Sequence, residues 1–190
     1  MLSRLVIISR EEALALLRKY IRDQEILRNS LAVEALLKVL AKKLQKDEEL
    51  WGLVGLLHNL DYEYTRLDPG QRGSLSTQLL EGLLPENAVN AIKANNYMYT
   101  SYIPTTTLDK TLITAEATTG FIFESAKAIQ SKNILDLNTD FLLERFNDSN
   151  FAPDFNRNRI RLCVDVGFDL EEYLTLCLKV LQHFSSETSQ

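Results

Sequence analysis

The residues with the strongest claim to chemistry lie in the stretch His58-Asn59-Leu60-Asp61, where an apolar segment gives way to a polar one. Histidine is the commonest metal ligand and acid–base residue in proteins, so a histidine at the mouth of a loop is a candidate functional residue. A histidine in the last turn of a helix is equally explained by attraction to the negative end of the helix dipole, and spacing alone favours that explanation. His183 has the same explanation, and we assign it no role.

The chain offers few other metal ligands, since its 190 residues include only two His and two Cys. Four such residues form a structural zinc cluster only where all of them converge, and their positions argue against this. Cys163 and Cys177 lie among apolar neighbours in helical patterns. They are therefore predicted to be core thiols in a reducing compartment.

The candidate residues are positioned by helices, which the sequence predicts from capping residues and apolar spacing. Ser9 and Glu12 have the spacing of a capping box, which predicts the start of a first helix. A second helix is predicted from about Asp23 to Leu44, and Asp47 is predicted to cap a third that ends near His58-Asn59. Further helices are predicted over 74–83, from Pro85 to about 95, and over 108–128, 139–146, 155–166 and 169–184. The segments 60–73 and 96–107 are predicted loops, residues 1–8 an N-terminal extension and residues 185–190 a frayed polar tail.

Composition agrees with an all-α protein. The chain is 45% hydrophobic and 25% charged, and its Gly and Pro residues number only seven and four. A net charge of −5 without a basic stripe disfavours nucleic-acid binding. The longest apolar run near the N-terminus, from Leu5 to Ile8, is too short for a signal-peptide core or a membrane span. We therefore expect a cytoplasmic protein with no membrane partner.

Four segments, 27–35, 50–63, 84–96 and 108–120, resemble segments of small bacterial HD-domain phosphohydrolases in order and spacing. The second of these reads LWGLVGLLHNLDYE, and the resemblance extends from about Ser9 to Phe184. It implies one domain over residues 1–190, an orthogonal helical bundle of the HD type with about eight or nine helices.

The resemblance also implies a set of metal-ligand positions. In that family a His on an early helix, a His-Asp doublet and a distal Asp hold a divalent metal that acidifies a bound water. The corresponding residues here are Asn29, the pair His58-Asn59, and Glu116. Two further family histidines correspond to Arg72 and Asn95, so His58 alone is unchanged.

These replacements weaken the implied metal site. Asn59 supplies a neutral oxygen in place of a carboxylate, so Glu116 carries the only formal negative charge of the set. Asn29 lacks the nitrogen ligand that transition metals favour. The remaining oxygens could coordinate Mg²⁺ or Mn²⁺, but the ion would bind weakly. Its bound water would be less acidic than the water in the intact metal site of the family. We therefore expect no cofactor, or at most a weakly bound divalent ion.

Asp61 and Arg72 are the candidate catalytic residues should the chain be active. Asp61 falls where the family motif also has an acid, but at i+2 it does not share a helical face with Asn59. It is expected to brace the loop or to pair with a cation such as Arg72. Arg72 either replaces the charge of the ion and binds phosphate or carboxylate, or is a surface arginine in a loop.

Five of the seven tyrosines follow these positions in the two predicted loops: Tyr62, Tyr64, Tyr97, Tyr99 and Tyr102. They either line a pocket that stacks on a planar ligand or are half-buried loop residues. Arg72, Asn95, Tyr62 and Tyr97 are the candidate pocket residues.

Our leading hypothesis is an HD-like pseudoenzyme, a non-catalytic module that binds a small phosphorylated or nucleotide-like ligand or an interaction partner. The alternative is an active metal-dependent phosphohydrolase with a variant site. A third class, a structural or oligomer-forming helical protein, would be indicated by a broad exposed apolar patch. Oligomerisation is left open by the sequence.

Overall fold

The computed structural model describes residues 8–99 and 101–188, and within them the chain is all-α. These residues form nine α-helices and three short 3-10 helices, with no β-strand among them. The α-helices are α1 Arg10–Tyr20, α2 Gln24–Lys43, α3 Glu48–Leu57, α4 Ser74–Leu80, α5 Glu86–Ala94, α6 Thr107–Ala128, α7 Thr139–Asn147, α8 Arg157–Arg161 and α9 Leu170–Thr188. The predicted fold class and number of helices are confirmed for this part of the chain, and the orthogonal arrangement stays a prediction.

The described residues fall into two compact units, one ending at Leu112 and the other beginning at Ile113. The division lies within α6, so one continuous helix contributes to both units. The single domain expected from the sequence stays a prediction. Among the described helices, none combines the length and the hydropathy needed to cross a bilayer.

The first three helices begin where side chains cap their free amides. The Ser9 hydroxyl accepts from the Glu12 amide at 3.2 Å, and the Glu12 carboxylate accepts from the Ser9 amide at 2.9 Å, which completes the predicted capping box. Asp23 and Asp47 cap α2 and α3 through their carboxylates. The N-terminal ends of these helices were therefore predicted correctly from local sequence.

Helices α2 and α3 approach each other closely at Gly55. A Cβ atom added to this glycine would lie 2.8 Å from the Val33 carbonyl oxygen and 2.9 Å from the Glu34 Cα atom. Every residue from Trp51 to Leu57 is buried, so α3 forms the centre of the first unit. Beside this contact, the buried Glu34 carboxylate binds the Arg10 guanidinium through both oxygens.

Four phenylalanine rings form a cluster in the second unit. Phe121 packs edge-to-face against the rings of Phe146, Phe151 and Phe155, with ring centroids 5.9 to 6.0 Å apart. Such pairs contribute about 0.5–1.5 kcal/mol each beyond the area they bury.

Cys163 and Cys177 are both buried in the second unit and unbonded to each other, as core thiols are. Burial raises the pKa of the Cys163 thiol to about 11 and raises that of Cys177 further. Both side chains therefore remain protonated at neutral pH and are weak nucleophiles.

Two predictions about the C-terminal third are wrong. The helix expected over 155–166 is only α8 followed by a separate 3-10 helix over Val164–Val166, because Asn156 caps a new start and the Cys163 amide bonds to the Ile160 carbonyl. The final helix, expected to end at Phe184, continues as α9 to Thr188, whose hydroxyl donates to the Phe184 carbonyl at 3.0 Å, while the fraying expected of the tail stays a prediction. Residues 189 and 190 lie outside the described residues. Of the N-terminal extension only Ile8 is described, and its amide donates to the Leu83 carbonyl.

Candidate functional site

The structure brings Asn29 and Asn59 together in the first unit. Asn29 lies on α2 and Asn59 two residues beyond the end of α3. The Asn59 Nδ2 atom donates to Asn29 Oδ1 at 3.0 Å and to Ser30 Oγ at 3.4 Å. Ser30 is fully buried and Asn59 nearly so. The two amides therefore form part of a partly buried hydrogen-bond network that joins α2 to the residues after α3.

His58 is the C-cap residue of α3 and is 2% exposed. Its Nδ1 atom lies 2.7 Å from the Gly55 carbonyl oxygen. A carbonyl oxygen only accepts hydrogen bonds, so Nδ1 carries a hydrogen and the ring is fixed in orientation. The contact to a carbonyl of the last helical turn is the helix-end interaction that the sequence favoured for this residue.

Asp61 is fully buried and closes the loop over 60–73 onto the start of α4. Its Oδ2 atom accepts from the Gly73 amide at 2.8 Å and from the Ser76 amide at 3.0 Å. Gly73 has φ +89°, a left-handed conformation in which glycine is favoured. These bonds give Asp61 the bracing geometry expected from the sequence, with backbone amides as its partners.

Arg72 stacks on Tyr62 within the same loop. The Arg72 Cζ atom lies 4.3 Å from the centroid of the Tyr62 ring, within the range of a cation–π contact. Of the four predicted pocket residues, these two contact each other. Asn95 is the half-buried C-cap of α5, and Tyr97 follows it in a turn in which its amide donates to the Ala94 carbonyl.

Asn96 has a structural role that the sequence reasoning assigned to no residue. It is 6% exposed, and its Nδ2 atom donates to the Pro69 carbonyl at 2.6 Å and to the Arg72 carbonyl at 3.3 Å. The side chain thus joins the start of the segment over 96–107 to the loop over 60–73. The only feature of the sequence that pointed to Asn96 was its position next to Asn95 at the predicted end of a helix.

Glu63 attaches the same loop to the beginning of α2. Its Oε1 atom accepts from the Arg22 amide at 2.5 Å and from the Asp23 amide at 2.7 Å. Asp61, Asn96 and Glu63 therefore fix the loop over 60–73 at three places, to α4, to the segment after α5 and to the start of α2.

Glu116 belongs to the second unit, where it lies on α6. Its Oε2 atom is 2.7 Å from Nη2 of Arg159 on α8, and both side chains are partly buried. The distal acid implied by the resemblance is therefore ion-paired. Nothing in the sequence pattern linked it to Arg159, which is 43 residues away.

The five loop tyrosines have different environments. Tyr64 and Tyr99 are 65% and 66% exposed, and the ring of Tyr64 packs edge-to-face on Tyr20. Lys93 lies over the ring of Tyr102, and burial is the main cause that raises the pKa of that phenol. The segments thus combine half-buried aromatic residues with residues that are largely in solvent.

No family model, curated protein or solved structure matches the chain. The site is characterised by its own residues.

The candidate site thus contains two hydrogen-bonded amides, an imidazole bonded to a helix carbonyl, a carboxylate bonded to backbone amides and a guanidinium stacked on a tyrosine. No group of three or more His, Cys, Asp or Glu side chains that could hold a metal ion occurs within residues 8–99 and 101–188. The functional groups of this site that carry a full charge are the Asp61 carboxylate and the Arg72 guanidinium.

Proposed function

We propose that the chain is a non-catalytic relative of the HD-domain phosphohydrolases that binds a small phosphorylated ligand through its loop over 60–73. The Asn59–Asn29 hydrogen bond is the single observation that carries the proposal. It supports the interpretation that two former ligand positions have become part of the structural hydrogen-bond network.

The donor set does not fit a divalent cation. The Asn29 oxygen that would face an ion accepts a hydrogen bond from Asn59 instead. The carboxylate of Glu116, the only anionic member of the set, is paired with a guanidinium at 2.7 Å. A cation at Asn29 would have to displace the Asn59 amide and would gain only neutral oxygens, and a cation at Glu116 would have to compete with the Arg159 guanidinium.

Arg72 provides the positive charge that such a ligand requires. A guanidinium presents its N–H groups in one plane and binds phosphate through two of them at once. Stacking on Tyr62 fixes that plane, and the Asn96 bond to the Arg72 carbonyl fixes the backbone beneath it. We therefore assign recognition of the phosphate group to Arg72.

Metal analysis and turnover test the loss of catalysis. After dialysis against Mg²⁺, Mn²⁺ or Fe²⁺, we expect well below one equivalent of metal per chain. We expect no hydrolysis of nucleotides or generic phosphoesters above the rate without protein. His183→Ala is the control for His58→Ala, because His183 is largely exposed on α9. Stoichiometric metal with turnover that His58→Ala abolishes and His183→Ala retains would contradict the proposal and favour an active variant site.

Ligand binding tests the role of Arg72. Isothermal titration calorimetry with inorganic phosphate and a panel of nucleoside mono- and diphosphates is expected to detect binding to the wild-type chain. Arg72→Ala is expected to weaken it by about tenfold to hundredfold, the effect of losing charge-assisted hydrogen bonds. Arg66→Ala, at an exposed arginine of the same loop, should leave affinity unchanged. Equal losses in both variants, or no binding by the wild-type chain, would rule out this site.

A further inference from the structure

A cluster of hydroxyl groups lies in the interior of the second unit. Thr114 and Thr118 are one turn apart on α6, Tyr173 lies on α9, and all three residues are fully buried. Burial is the main cause that raises the pKa of the Tyr173 phenol well above its usual value. The side chains that also affect this pKa, and so lie beside the hydroxyl, are those of Thr114, Thr118 and Cys177. Polar groups of two helices are therefore gathered around the Tyr173 hydroxyl.

The Thr114 hydroxyl uses its hydrogen outside this cluster. Its Oγ1 atom donates to the carbonyl of Ile160 on α8 at 2.8 Å. A hydroxyl has one hydrogen and two lone pairs, so Thr114 can only accept further hydrogen bonds. Within the cluster, Thr114 is therefore an acceptor.

Thr118 does not use the acceptor that other hydroxyl residues of α6 use. Thr111 and Ser125 donate to the carbonyls four residues before them, at 2.7 and 2.8 Å. The Thr118 Oγ1 atom has no hydrogen-bond partner among the residues that the structure describes, and the same holds for the Tyr173 hydroxyl. A buried hydroxyl that stays unpaired costs free energy, so both groups require a partner.

A water molecule matches the hydrogen-bonding groups of this cluster. Water accepts two hydrogen bonds and donates two, and a buried water in a protein makes about three. Here it would accept from the Tyr173 and Thr118 hydroxyls and donate to Thr114 Oγ1. Its second hydrogen would face the sulfur of Cys177, a weak acceptor. Because none of these four side chains is charged at neutral pH, the cluster suits a neutral molecule and not an ion.

We propose that one internal water molecule is bound between α6 and α9 by Tyr173, Thr118 and Thr114. The water links the two helices by directional hydrogen bonds, and the bond from Thr114 to Ile160 extends the link to α8. This site lies in the second unit, whereas Arg72 lies in the first, so the proposal does not depend on phosphate binding.

A high-resolution crystal structure of the full chain tests the proposal. We expect an ordered water within about 3.2 Å of the hydroxyl oxygens of Tyr173, Thr118 and Thr114. Tyr173→Phe/Thr118→Val should lose this water, because only one hydroxyl of the three remains. Thr111→Val should keep it, because the Thr111 hydroxyl bonds within its own helix. Direct bonds among the wild-type hydroxyls with no density between them would overturn the proposal, as would a water that the double variant retains.

Unfolding equilibria test the shared water in solution, with circular dichroism as the measure of fold. Tyr173→Phe and Thr118→Val are each expected to lower the folding equilibrium constant by about tenfold. The double variant should lose much less than the product, about hundredfold, because either change releases the same water. Tyr173→Phe combined with Thr111→Val is the control, and its two effects should multiply. Effects of Tyr173→Phe and Thr118→Val that also multiply would contradict a shared water.

Discussion

Replacing Arg157 with alanine is expected to lower the free energy of unfolding by about 4 kcal/mol, because several charge-assisted hydrogen bonds to backbone carbonyls are lost together. The nitrogens of the guanidinium lie within hydrogen-bond distance of six backbone carbonyls around the turn between α7 and α8, and its five N–H groups are shared among them. These carbonyls are those of Arg145, Phe146, Asp148, Phe151, Ala152 and Phe155. Alanine removes this donor from all six carbonyls, of which those of Asp148 and Ala152 keep a bond from a backbone amide, and it loosens the ring cluster that Phe151 and Phe155 form on Phe121. Urea unfolding followed by circular dichroism measures the loss.

Two further substitutions make the Arg157 result specific. Arg157→Lys should restore little of the stability, since an ammonium group cannot span carbonyls that a planar guanidinium reaches from three nitrogens. Arg161→Ala is the control, because Arg161 is exposed and stacks on Phe146 at 4.8 Å, a contact worth about 0.5–1 kcal/mol. A lysine variant as stable as the wild-type protein would show that the carbonyl contacts contribute little.

Replacing Gly55 with alanine is expected to destabilise the protein by about 3 kcal/mol, although alanine is the better helix former. The new Cβ atom would lie 2.8 Å from a backbone oxygen of Val33 and 2.9 Å from backbone atoms of Glu34, so two helices would have to separate. That movement would also strain the Asn59–Asn29 bond, which joins the same helices.

Gly52 provides a matched control one turn earlier on α3. The three atoms nearest to a Cβ atom there all belong to the side chain of Lys38, with Cε closest at 2.5 Å, and a flexible side chain can move aside. Gly52→Ala should therefore leave stability unchanged or raise it by up to about 1 kcal/mol through helix propensity. Thermal unfolding of the two variants measures the difference. Equal effects would contradict the close approach at Gly55.

Local signals in the sequence predicted most of the helices. Ser9, Asp23 and Asp47 each cap a helix with their own side chain, so the information lies within three residues of the boundary. The helix expected over 155–166 was wrong because its apolar spacing also suits a short helix followed by a 3-10 turn. Capping by Asn156 delays the start of the helix, and the bond from the Cys163 amide to the Ile160 carbonyl ends it early, and periodicity detects neither.

The candidate site was predictable only in part, for the same reason. The positions Asn29 and Asn59 were named from the sequence, and the structure places their side chains in contact. The pairing of Glu116 with Arg159 and the bonds of Asn96 to Pro69 and Arg72 join residues 24 to 43 positions apart. No periodicity or motif relates such residues, because tertiary packing determines these contacts.

The three attachments of the loop over 60–73 have a consequence for affinity. Asp61, Glu63 and Asn96 restrict the backbone of this segment when the chain folds, so the conformational entropy of the loop is lost at that stage. A ligand at Arg72 then meets a preorganised surface. Ordering a flexible loop would otherwise subtract from the binding free energy, and here that subtraction is small.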